Sequence, residues 1–424
     1  MILEKLHQLF LASTGVSIDT RKILEQQLFF ALKGDNFNGN EYAEQAINEG
    51  ASYAIVDEEE FALNAQCILV EDVLTCLQGL AAFHRNYLNI PIIAITGSNG
   101  KTTTKELLHI VLKQKYHTYA TKGNLNNHIG VSLSLLELTK EHELAIIEMG
   151  ANHQKEIASY CVWAKPNFGL ITNIGKAHLE GFGGVEGIIK GKTELYQAVA
   201  EIKGLVFYNA DDQILTEQSA EITRRFSFAQ NANADFKYSL SLIDSLVSIE
   251  VNNVQISSNM IGMYNGHNIA AALAIGTFFE VPLPAMKLAI EGYHSDNNRS
   301  QLLSYKGMQV ILDAYNANPT SMMAALENFI EIKSEKKGVF LGDMFEIGPT
   351  SSAEHFAIVN FLKDKKLDFC VFVGKDFLEH RNDQFLFFEN VQEAKNWFEQ
   401  QQLASYKLLI KGSRGMRMES LIKA

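Results

Sequence analysis

A glycine-rich stretch between an apolar run and an amphipathic run most constrains what this chain can fold into. Pro91-Ile-Ile-Ala-Ile-Thr-Gly-Ser-Asn-Gly-Lys-Thr-Thr-Thr104 begins with apolar residues typical of a buried strand, and Leu107, Leu108, Val111 and Leu112 then recur at helical spacing. Glycines let backbone N–H groups close around phosphate oxygens, and a helix N-terminus adds partial positive charge. Strand, glycine loop, Lys-Thr and helix together predict a nucleoside triphosphate site in an α/β fold.

The side chains of this loop have predicted roles. Lys101 would reach the β- and γ-phosphates, and the Thr102 hydroxyl would ligate Mg²⁺. Ile95 occupies the place of the first glycine of a standard P-loop, which leaves the shorter pattern G-x-x-G-K-T-T. A Gly/Asn turn with a solvated lysine is the alternative, but the flanking strand and helix favour the phosphate site. The predicted ATP contacts are Gly97, Ser98, Asn99, Gly100, Lys101, Thr102 and Thr103.

Composition bounds the size, compartment and partners of the protein. A chain of 424 residues with 47% hydrophobic residues should form about two to four domains. The net charge of −12 gives no support to binding of nucleic acid or an anionic membrane. No stretch approaches the roughly 18 apolar residues of a membrane span, and no signal peptide is recognisable. Four cysteines without a CxxC pair are typical of a reduced thiol population, so we expect a cytoplasmic protein.

The residues before the loop predict a small α/β domain over 1–85. Residues 28–32 and 53–56 have the pattern of strands, and residues 42–49 that of a helix. Ser17, Asp19 and Arg21 alternate, so they would share one side of an extended segment. A binding site and a surface salt pair both remain open for these three side chains.

The second predicted domain, over 86–295, has polar residues where its strands end. Strand 144–150 includes Glu148, and strand 168–174 leads into a loop that contains His178. Ligands of an open parallel sheet lie beyond the carboxyl ends of its strands. A carboxylate and an imidazole at two neighbouring strand ends suit a divalent cation, although His178 alone would be typical of a loop histidine bonded to backbone.

Other features of this domain leave alternatives open. Lys190 and Lys192 lie at the start of a helical pattern, where they would either balance phosphoryl charge or be solvated. Asn126 and Asn127 belong to an amide-rich loop that suits either a polar ligand or a set of turns. Asn268, near the start of an Ala-rich helix, would either contact adenine or cap the helix. Alternating segments over 220–258 predict antiparallel strands added to the sheet.

The third predicted domain, over 296–424, alternates strands with helices and is again α/β. Strands are predicted over 308–312, 338–341, 369–373 and 407–410. Polar loops follow three of them, namely Asp313-Ala-Tyr-Asn-Ala-Asn-Pro319, Gly342-Asp-Met-Phe-Glu-Ile-Gly348 and Lys411-Gly-Ser-Arg-Gly-Met-Arg417. Such loops on one edge predict a site that faces the nucleotide domain.

With these motifs in place, the chain resembles the Mur ligases, the cytoplasmic amide-bond ligases of peptidoglycan synthesis. Their phosphate loop has the same shortened form as Thr96-Gly-Ser-Asn-Gly-Lys-Thr-Thr103. Within the family, the blocks are most similar to the branch that adds D-alanyl-D-alanine to UDP-N-acetylmuramoyl-tripeptide, and the Asp-Asn-Pro-Arg motif usual in the branch that adds the third residue is absent from the sequence. The similar blocks are Asn124-Leu-Asn-Asn127, Glu148-Met-Gly-Ala151, Ala177-His-Leu-Glu180 and the loops that begin at Asp313 and Lys411.

The resemblance implies a three-domain ATP-dependent ligase that uses Mg²⁺ and an acyl-phosphate intermediate and acts as a monomer. The first domain would hold the UDP-sugar, the central P-loop domain with its mostly parallel sheet would hold ATP, and the Rossmann-like third domain would bind the dipeptide and close over ATP. Lys101, Lys192 and His178 would be catalytic. Lys192 aligns with a lysine that some relatives carbamylate to bind metal, although its neighbours Lys190-Gly-Lys-Thr-Glu depart from the family pattern.

The resemblance also implies binding residues. Glu148 and His178 would hold the second Mg²⁺, with Thr102 on the first. Asn268, Arg299 and Asp313 match positions near adenine, phosphate and ribose. The substrate-binding set would be Ser17, Asp19, Arg21, Asn126, Asn127, Asn316, Asn318 and Arg414, the last a candidate for the dipeptide carboxylate.

Two rival functions fit the sequence less well. Folylpolyglutamate synthases have a related loop and form amides, but they should lack so large a domain before the loop. A nucleotide-dependent switch of the GTPase type would be expected to show Asn-Lys-x-Asp, which the sequence does not contain. A pure binding protein would have no use for carboxylate, histidine and lysine at successive strand ends.

Overall fold

The structure, a computed structural model, describes residues 2–422. Three α/β domains follow one another along the chain, and each is built on a sheet whose strands are mainly parallel. The predicted fold class is therefore confirmed. In the part of the chain that the structure describes, no helix combines the length and apolar character needed to cross a bilayer.

The first domain contains a parallel four-stranded sheet and a small antiparallel hairpin, β3–β4. Its helices are α1 (Ile2–Ala12), α2 (Ala43–Asn48) and α3 (Val73–Leu88). Its strands are β1 (Val16–Ser17), β2 (Leu28–Phe30), β3 (Lys33–Gly34), β4 (Phe37–Asn38), β5 (Tyr53–Val56) and β6 (Cys67–Leu69). The order in the sheet is β1-β2-β5-β6. The predicted extended segment over 17–21 is wrong, because β1 ends at Ser17 and a 3₁₀ helix spans Thr20–Lys22.

The central domain is organised around a seven-stranded parallel sheet. Its strands are β7 (Ile92–Thr96), β8 (Thr118–Ala120), β9 (Leu144–Glu148), β10 (Phe168–Ile171), β11 (Leu205–Asn209), β12 (Arg225–Ala229) and β13 (Phe236–Lys237). Its helices are α4 (Lys101–Leu112), α5 (Gly130–Leu136), α6 (Glu156–Ala164), α7 (Leu179–Phe182), α8 (Val185–Glu201), α9 (Gln213–Ser219), α10 (Met263–Phe278) and α11 (Leu283–Glu291). The strand order is β13-β12-β11-β10-β7-β9-β8, which places β7 near the middle.

The continuous apolar run of β7 follows from burial on both faces. Side chains alternate across a strand, so Ile92 and Ala94 enter the core shared with α3, α5, α6 and α8, while Ile93 and Ile95 enter the core shared with α4, α10 and α11. All five residues of β7 are buried. The glycine loop therefore starts from the rigid centre of the domain.

The prediction for residues 220–258 is partly wrong. Strands β12 and β13 do extend the central sheet, but in the parallel direction. The antiparallel strands β14 (Ser239–Ile243), β15 (Leu246–Val251) and β16 (Val254–Ile261) form a separate three-stranded sheet. The apolar side chains of β15 and β16 pack with α10, so burial against this helix replaces addition to the main sheet.

The third domain has six strands, two more than the sequence predicted. These are β17 (Gln301–Tyr305), β18 (Met308–Asp313), β19 (Lys337–Gly342), β20 (Phe369–Val373), β21 (Leu386–Phe388) and β22 (Lys407–Lys411), in the order β17-β18-β22-β19-β20-β21. Only β17, an edge strand of this described sheet, is antiparallel to its neighbour. The helices are α12 (Pro319–Glu331), α13 (Ser351–Leu362), α14 (Lys375–Leu378) and α15 (Val391–Glu399), with short 3₁₀ helices at Gly348–Thr350, Arg414–Met416 and Met418–Leu421.

Candidate active site between the central and third domains

The glycine loop turns sharply between β7 and α4. Gly97 has φ 140°, and a Cβ there would lie 2.1 Å from the hydroxyl oxygen of Thr172. Gly100 has φ 78° and precedes the first residue of α4. A helix N-terminus leaves backbone N–H groups without intrahelical partners. The loop therefore has the backbone geometry of an anion site, as predicted.

Lys101 folds back onto the loop. Its Nζ donates to the carbonyl oxygens of Gly97 at 2.7 Å and Ser98 at 3.3 Å. Burial is the main cause that lowers the pKa of Lys101 to about 8; the charge of Glu148 opposes this shift, and the charge of Arg299 contributes to it. A bound polyphosphate would supply the negative charge that this amine lacks, and so would favour its protonated form.

Glu148 is fully buried at the end of β9 and has an unsatisfied oxygen. Its Oε1 accepts from Thr102 at 3.1 Å and from Asn126 Nδ2 at 2.7 Å. Its Oε2 has no hydrogen-bond partner and lies 3.8 Å from Nζ of Lys105. A buried carboxylate oxygen without a hydrogen bond is costly unless a cation shares the site. Thr102 and Glu148 therefore fit a hard divalent cation.

The protein alone does not supply a complete metal cage. Within residues 2–422, no group of three or more His, Cys, Asp or Glu side chains is placed to hold a metal ion. Mg²⁺ is usually held by one or two carboxylates together with substrate phosphates and water. The donor set here fits that mode of binding and does not fit a dedicated structural site.

His178 lies on the opposite side of the glycine loop from Glu148. The strand order puts β7 between β9 and β10, so the predicted neighbouring strand ends are wrong. His178 adopts a left-handed conformation with φ 54° just before α7, and Nδ1 lies in direct contact with the carboxylate of Glu346 from the third domain. This contact lowers the pKa of Glu346. The glycine loop is thus flanked by a carboxylate and an imidazole.

Asn268 meets the glycine loop and does not cap a helix. Helix α10 begins at Met263 after Gly262, so Asn268 stands in its second turn. Its Oδ1 accepts from Thr104 at 3.1 Å, and its Nδ2 donates to Asn265 at 3.0 Å. The capping alternative is therefore wrong, and the adenine contact stays a prediction.

The segment before β17 and the end of β18 bring a guanidinium and a carboxylate to the same place. The Arg299 guanidinium lies 3.7 Å from the centre of the Tyr315 ring, a stacking distance. Asp313 accepts from the Ser300 backbone N–H at 2.9 Å and from Nζ of Lys411 at 2.6 Å. Lys411 is 2% exposed, so this ion pair fixes β18 to β22 beneath the site.

These groups line one cavity of about 680 Å³ between the central and third domains, the interdomain cleft. Across it, the Asn318 side chain donates to Oδ1 of Asn99 at 2.8 Å while it caps α12. Of the predicted residues, the cleft is lined by Ser98, Asn99, Gly100, Lys101, Thr102, Thr103, Asn126, Asn127, Glu148, His178, Asn268, Arg299, Asp313, Asn316 and Asn318.

Lys192 is buried beneath the cleft. It is 1% exposed, donates to the carbonyl oxygen of Ala151 at 3.0 Å, and lies 4.8 Å from the centre of the Phe182 ring. Burial lowers the pKa of Lys192 well below 10.5, and the charge of Lys101 adds to the effect. Lys190 is exposed, so the solvated alternative holds for Lys190 and is wrong for Lys192.

The remaining predicted residues do not line the cleft. Asp19 and Arg21 form an exposed two-point ion pair at 2.8 and 2.9 Å, and the hydrogen bond from Arg21 lowers the pKa of Asp19 to about 2. The salt-pair alternative is therefore what the structure shows, with the Ser17 hydroxyl bonded to the Asp19 carbonyl at 3.1 Å. Arg414 is exposed and pairs with Glu419 at 3.0 Å.

Sequence reasoning missed several side chains, among them Tyr315 in the cleft lining and two residues that contact predicted ones, Lys105 beside Glu148 and Glu346 beside His178. Lys105 is four residues after Lys101 on α4, and this helical spacing could have revealed it. Tyr315 lies within the polar loop that begins at Asp313, but no local pattern predicts that Arg299 stacks on its ring. Glu346 lies in the loop that begins at Gly342, and its contact with His178 depends on the approach of two domains.

Comparison with known proteins gives matches along most of the chain. Residues 13–85 match the model described as Mur ligase family, catalytic domain; residues 95–276 match the Mur ligase middle domain; and residues 298–414 match the Mur ligase, glutamate ligase domain. The UDP-N-acetylmuramoyl-tripeptide--D-alanyl-D-alanine ligase of Bacillus subtilis is 31% identical, over 96% of this chain and 92% of the relative. The enzyme of the same name from Escherichia coli is 33% identical, over 97% and 93%.

A solved structure agrees with these sequence matches. The crystal structure of MurF from Acinetobacter baumannii superposes with a TM-score of 0.86 at 31% identity, and it covers 98% of this chain and 96% of that one. The similarity therefore extends over all three domains and over both walls of the interdomain cleft.

Proposed function

This chain belongs to the Mur ligase family, as its motifs predicted, and we propose on that premise that it uses ATP to join D-alanyl-D-alanine to UDP-N-acetylmuramoyl-tripeptide. The observation that supports the site assignment best is the glycine loop with Lys101 and Glu148 at the centre of the interdomain cleft. Sequence similarity along nearly the whole chain to ligases of this name supports the substrate assignment. The reaction would build a cytoplasmic precursor of peptidoglycan.

ATP binds with its phosphates on the glycine loop. The backbone N–H groups at the start of α4 and the ammonium of Lys101 meet the phosphate oxygens. Asn268 faces the base, Arg299 a phosphate, and Asp313 the ribose. Support for this orientation comes from the fact that all three side chains line the same cleft.

Mg²⁺ would be held by few protein ligands. Thr102 would contact the first ion, and Glu148 and His178 the second, with phosphate oxygens and water completing each shell. The Oε2 of Glu148, which lies 3.8 Å from Nζ of Lys105 and has no hydrogen-bond partner within residues 2–422, supports this assignment. When bound, the ions offset the negative charge on the transferring phosphoryl group.

The chemistry proceeds in two steps. The terminal carboxylate of the tripeptide attacks the γ-phosphorus in line, the bond to the β,γ-bridging oxygen breaks, and ADP leaves. The amine of D-alanyl-D-alanine then attacks the acyl-phosphate carbonyl, and phosphate departs from the tetrahedral intermediate as the nitrogen loses a proton. Lys101 would stabilise the charge that develops around the phosphoryl group. Lys192, buried beneath the cleft, would be the second lysine that the family resemblance assigns to catalysis.

Closure of the third domain protects the acyl phosphate from water. The bond between Asn318 and Asn99 crosses the cleft, and the ion pair between Lys176 and Glu354, at 2.6 Å, crosses it nearby. Exclusion of water from a closed site prevents hydrolysis of a reactive intermediate. The working unit of the proposal is a monomer.

The three domains then have separate roles in the proposal. Residues 1–85 bind the UDP-sugar through Ser17, Asp19 and Arg21, residues 86–295 bind ATP, and residues 296–424 bind the dipeptide through Arg414. The exposure of Asp19, Arg21 and Arg414 is compatible with ligand contacts. The remaining substrate contacts are Asn126, Asn127, Asn316 and Asn318.

The test is release of phosphate from ATP with Mg²⁺ and UDP-N-acetylmuramoyl-tripeptide, with and without D-alanyl-D-alanine. Release should require both substrates, and Lys101→Ala should lower kcat on the order of 100-fold or more. Lys113→Ala, at the exposed end of the same helix, is the matched control. Release driven by a folate substrate or a single amino acid would instead indicate a related ligase, and release without any acceptor would favour a nucleotide switch.

A further inference from the structure

A carboxylate of the third domain meets the imidazole that the proposed function assigns to the metal site. Nδ1 of His178, which follows β10, pairs with the carboxylate of Glu346, which follows β19. Nδ1 is a buried atom that makes no hydrogen bond of regular geometry within residues 2–422, and the Glu346 carboxylate lies in direct contact with it. This contact therefore belongs to neither domain alone.

Both residues of the pair lie in the left-handed region of backbone conformation. His178 has φ 54° and Glu346 has φ 61°. Histidine enters this region more readily than most residues, whereas glutamate rarely does. The surroundings of the loop must therefore hold Glu346 in this conformation.

The loop that presents Glu346 is fixed by its own domain. The backbone N–H of Met344 donates to Nε2 of His355 at 3.0 Å, and that of Phe345 donates to the Ser413 hydroxyl at 2.8 Å. His355 is fully buried. The loop is therefore held rigidly by its own domain, and Glu346 reaches a defined position when the third domain docks.

The pair selects one form of the imidazole. Carboxylate oxygens accept hydrogen bonds, so a neutral ring facing Glu346 must carry its proton on Nδ1 and leave the lone pair on Nε2. Metal-binding histidines usually donate their second ring nitrogen to a carboxylate in this way, which fixes tautomer and orientation. His178 lines the cleft, where Nε2 would act as the ligand.

We propose that Glu346 is a positioning residue for His178, and that docking of the third domain completes the metal site by supplying this carboxylate. The inference rests on the proposed function, since it takes His178 as a ligand. Divalent-cation binding at His178 and domain closure then favour each other, because a coupling between two equilibria is reciprocal. Phosphoryl transfer would be restricted to the closed state, in which the acyl phosphate is protected.

A second ion pair between the same domains provides the matched control. Lys176, two residues before His178, pairs with Glu354 on α13 at 2.6 Å, and its backbone N–H donates to the Thr320 hydroxyl at 3.0 Å. Removal of Glu354 weakens the same interface without touching the imidazole. Comparison of variants at 346 and 354 therefore separates the positioning of the His178 imidazole from the docking of the third domain onto the central domain.

The experiment compares Glu346→Asn with Glu354→Ala. Asn tolerates a left-handed backbone, so the first variant removes the carboxylate contact without adding strain. Mn²⁺ binding in the presence of ADP is measured by the paramagnetic resonance of free Mn²⁺. Nitrogen-15 NMR of histidine-labelled protein gives the tautomer of His178, with His178→Asn to assign the signal.

We expect Glu346→Asn to weaken Mn²⁺ binding by about 10- to 100-fold and to shift His178 toward a mixture of tautomers, while Glu354→Ala changes Mn²⁺ binding less than about threefold. An unchanged tautomer with unchanged Mn²⁺ binding in Glu346→Asn, or equal losses in both variants, would overturn the proposal. These measurements contain neither tripeptide nor dipeptide. A negative result in the ligase assay would therefore not change the Mn²⁺ and tautomer results. Negative Mn²⁺ and tautomer results would not change the assignment of the ligase activity.

Discussion

Replacement of Lys192 by methionine should make the ligand-free protein more stable while it removes activity. Lys192 is 1% exposed, and no carboxylate of the described residues lies within 4.0 Å of its Nζ. The amine therefore loses the hydration it has in the unfolded chain without gaining an ionic partner. Methionine has a similar length and no charge to desolvate.

The expected gain is the difference of two effects. Exchange of buried ion pairs for apolar residues of similar volume often stabilises proteins, by about 1–4 kcal/mol, and we expect a similar gain for a buried amine without an ionic partner. Loss of the hydrogen bond to the Ala151 carbonyl, 3.0 Å long in the wild type, costs about 1 kcal/mol. A net gain of up to about 3 kcal/mol remains, and each kcal/mol raises Tm by about 2–4 °C for a domain of this size.

The gain should depend on pH. Burial lowers the pKa of Lys192 well below 10.5, so between the folded and unfolded pKa values the unfolded chain binds a proton that the folded chain does not. Stability of the wild type therefore rises with pH in that window, by up to about 1.4 kcal/mol per unit. Methionine does not titrate, so the advantage of the variant should shrink as the pH rises toward 10.5.

Urea unfolding of both proteins at pH 7, 8 and 9 tests this reasoning. The chain has two tryptophans, Trp163 on α6 and Trp397 on α15, so Trp397→Phe leaves Trp163 as the reporter of the central domain. Lys190→Met, an exposed neighbour, should change stability by less than about 0.5 kcal/mol. A less stable Lys192→Met protein, with a difference that does not vary with pH, would refute the argument and indicate a partner or modification on Lys192.

Three further predictions concern other parts of the molecule. Gly97→Ala should abolish ATP binding in calorimetry, because its Cβ would lie 2.1 Å from the Thr172 hydroxyl, and unchanged affinity would contradict the loop geometry. Lys411→Met should lower the free energy of unfolding in urea by about 3–5 kcal/mol, because it leaves the Asp313 carboxylate, which lies 2.6 Å from Nζ, without its ionic partner. A decrease below about 1 kcal/mol would refute this. Burial lowers the pKa of His84, so the unfolded chain takes up a proton as pH falls below about 6.5, and the free energy of unfolding decreases there. His84→Gln should therefore flatten the dependence of the free energy of unfolding on pH between pH 7 and 5. An equally steep dependence in the variant would show that another group is its origin.

The phosphate site could be predicted from sequence because its parts are contiguous. Backbone N–H groups bind the phosphates, and only the glycines, the lysine and the two flanking patterns are needed to specify them. Strand β7 agrees with the prediction because burial on both faces leaves a continuous apolar run. The starts of β9 and β10, at Leu144 and Phe168, also agree with the prediction, whereas the two strands end at Glu148 and Ile171, before the predicted ends at 150 and 174.

The strand order could not be predicted, and errors followed from it. Glu148 and His178 were expected at neighbouring strands, but β7 lies between β9 and β10. Order in a parallel sheet depends on which crossovers pack against which face, and no local pattern records that. The same limit applies to β14–β16, whose alternation predicts antiparallel strands but not the sheet they join.

Asn268 shows how a single position changes the interpretation. A helix that began at Asn268 would use the amide as a cap, whereas Gly262, with φ 86°, lets α10 begin at Met263. The amide then points from the second turn to the Thr104 hydroxyl on α4. Helix α10 begins five residues before Asn268, and this shift of the helix start changes the role of Asn268 from a helix cap to a candidate binding residue.

The contact between His178 and Glu346 is the hardest to predict, for a physical reason. The conformations that bring the two side chains together, with φ 54° and 61°, are imposed by packing and are not signalled by glycine or asparagine. Their meeting requires two domains to dock, whereas the glycine loop is complete within one domain. Phosphate binding needs a site that exists in every state, and protection of an acyl phosphate needs one that exists only after closure. The first is specified by contiguous residues, and the second by residues from separate domains, because only such residues can respond to the approach of one domain to the other.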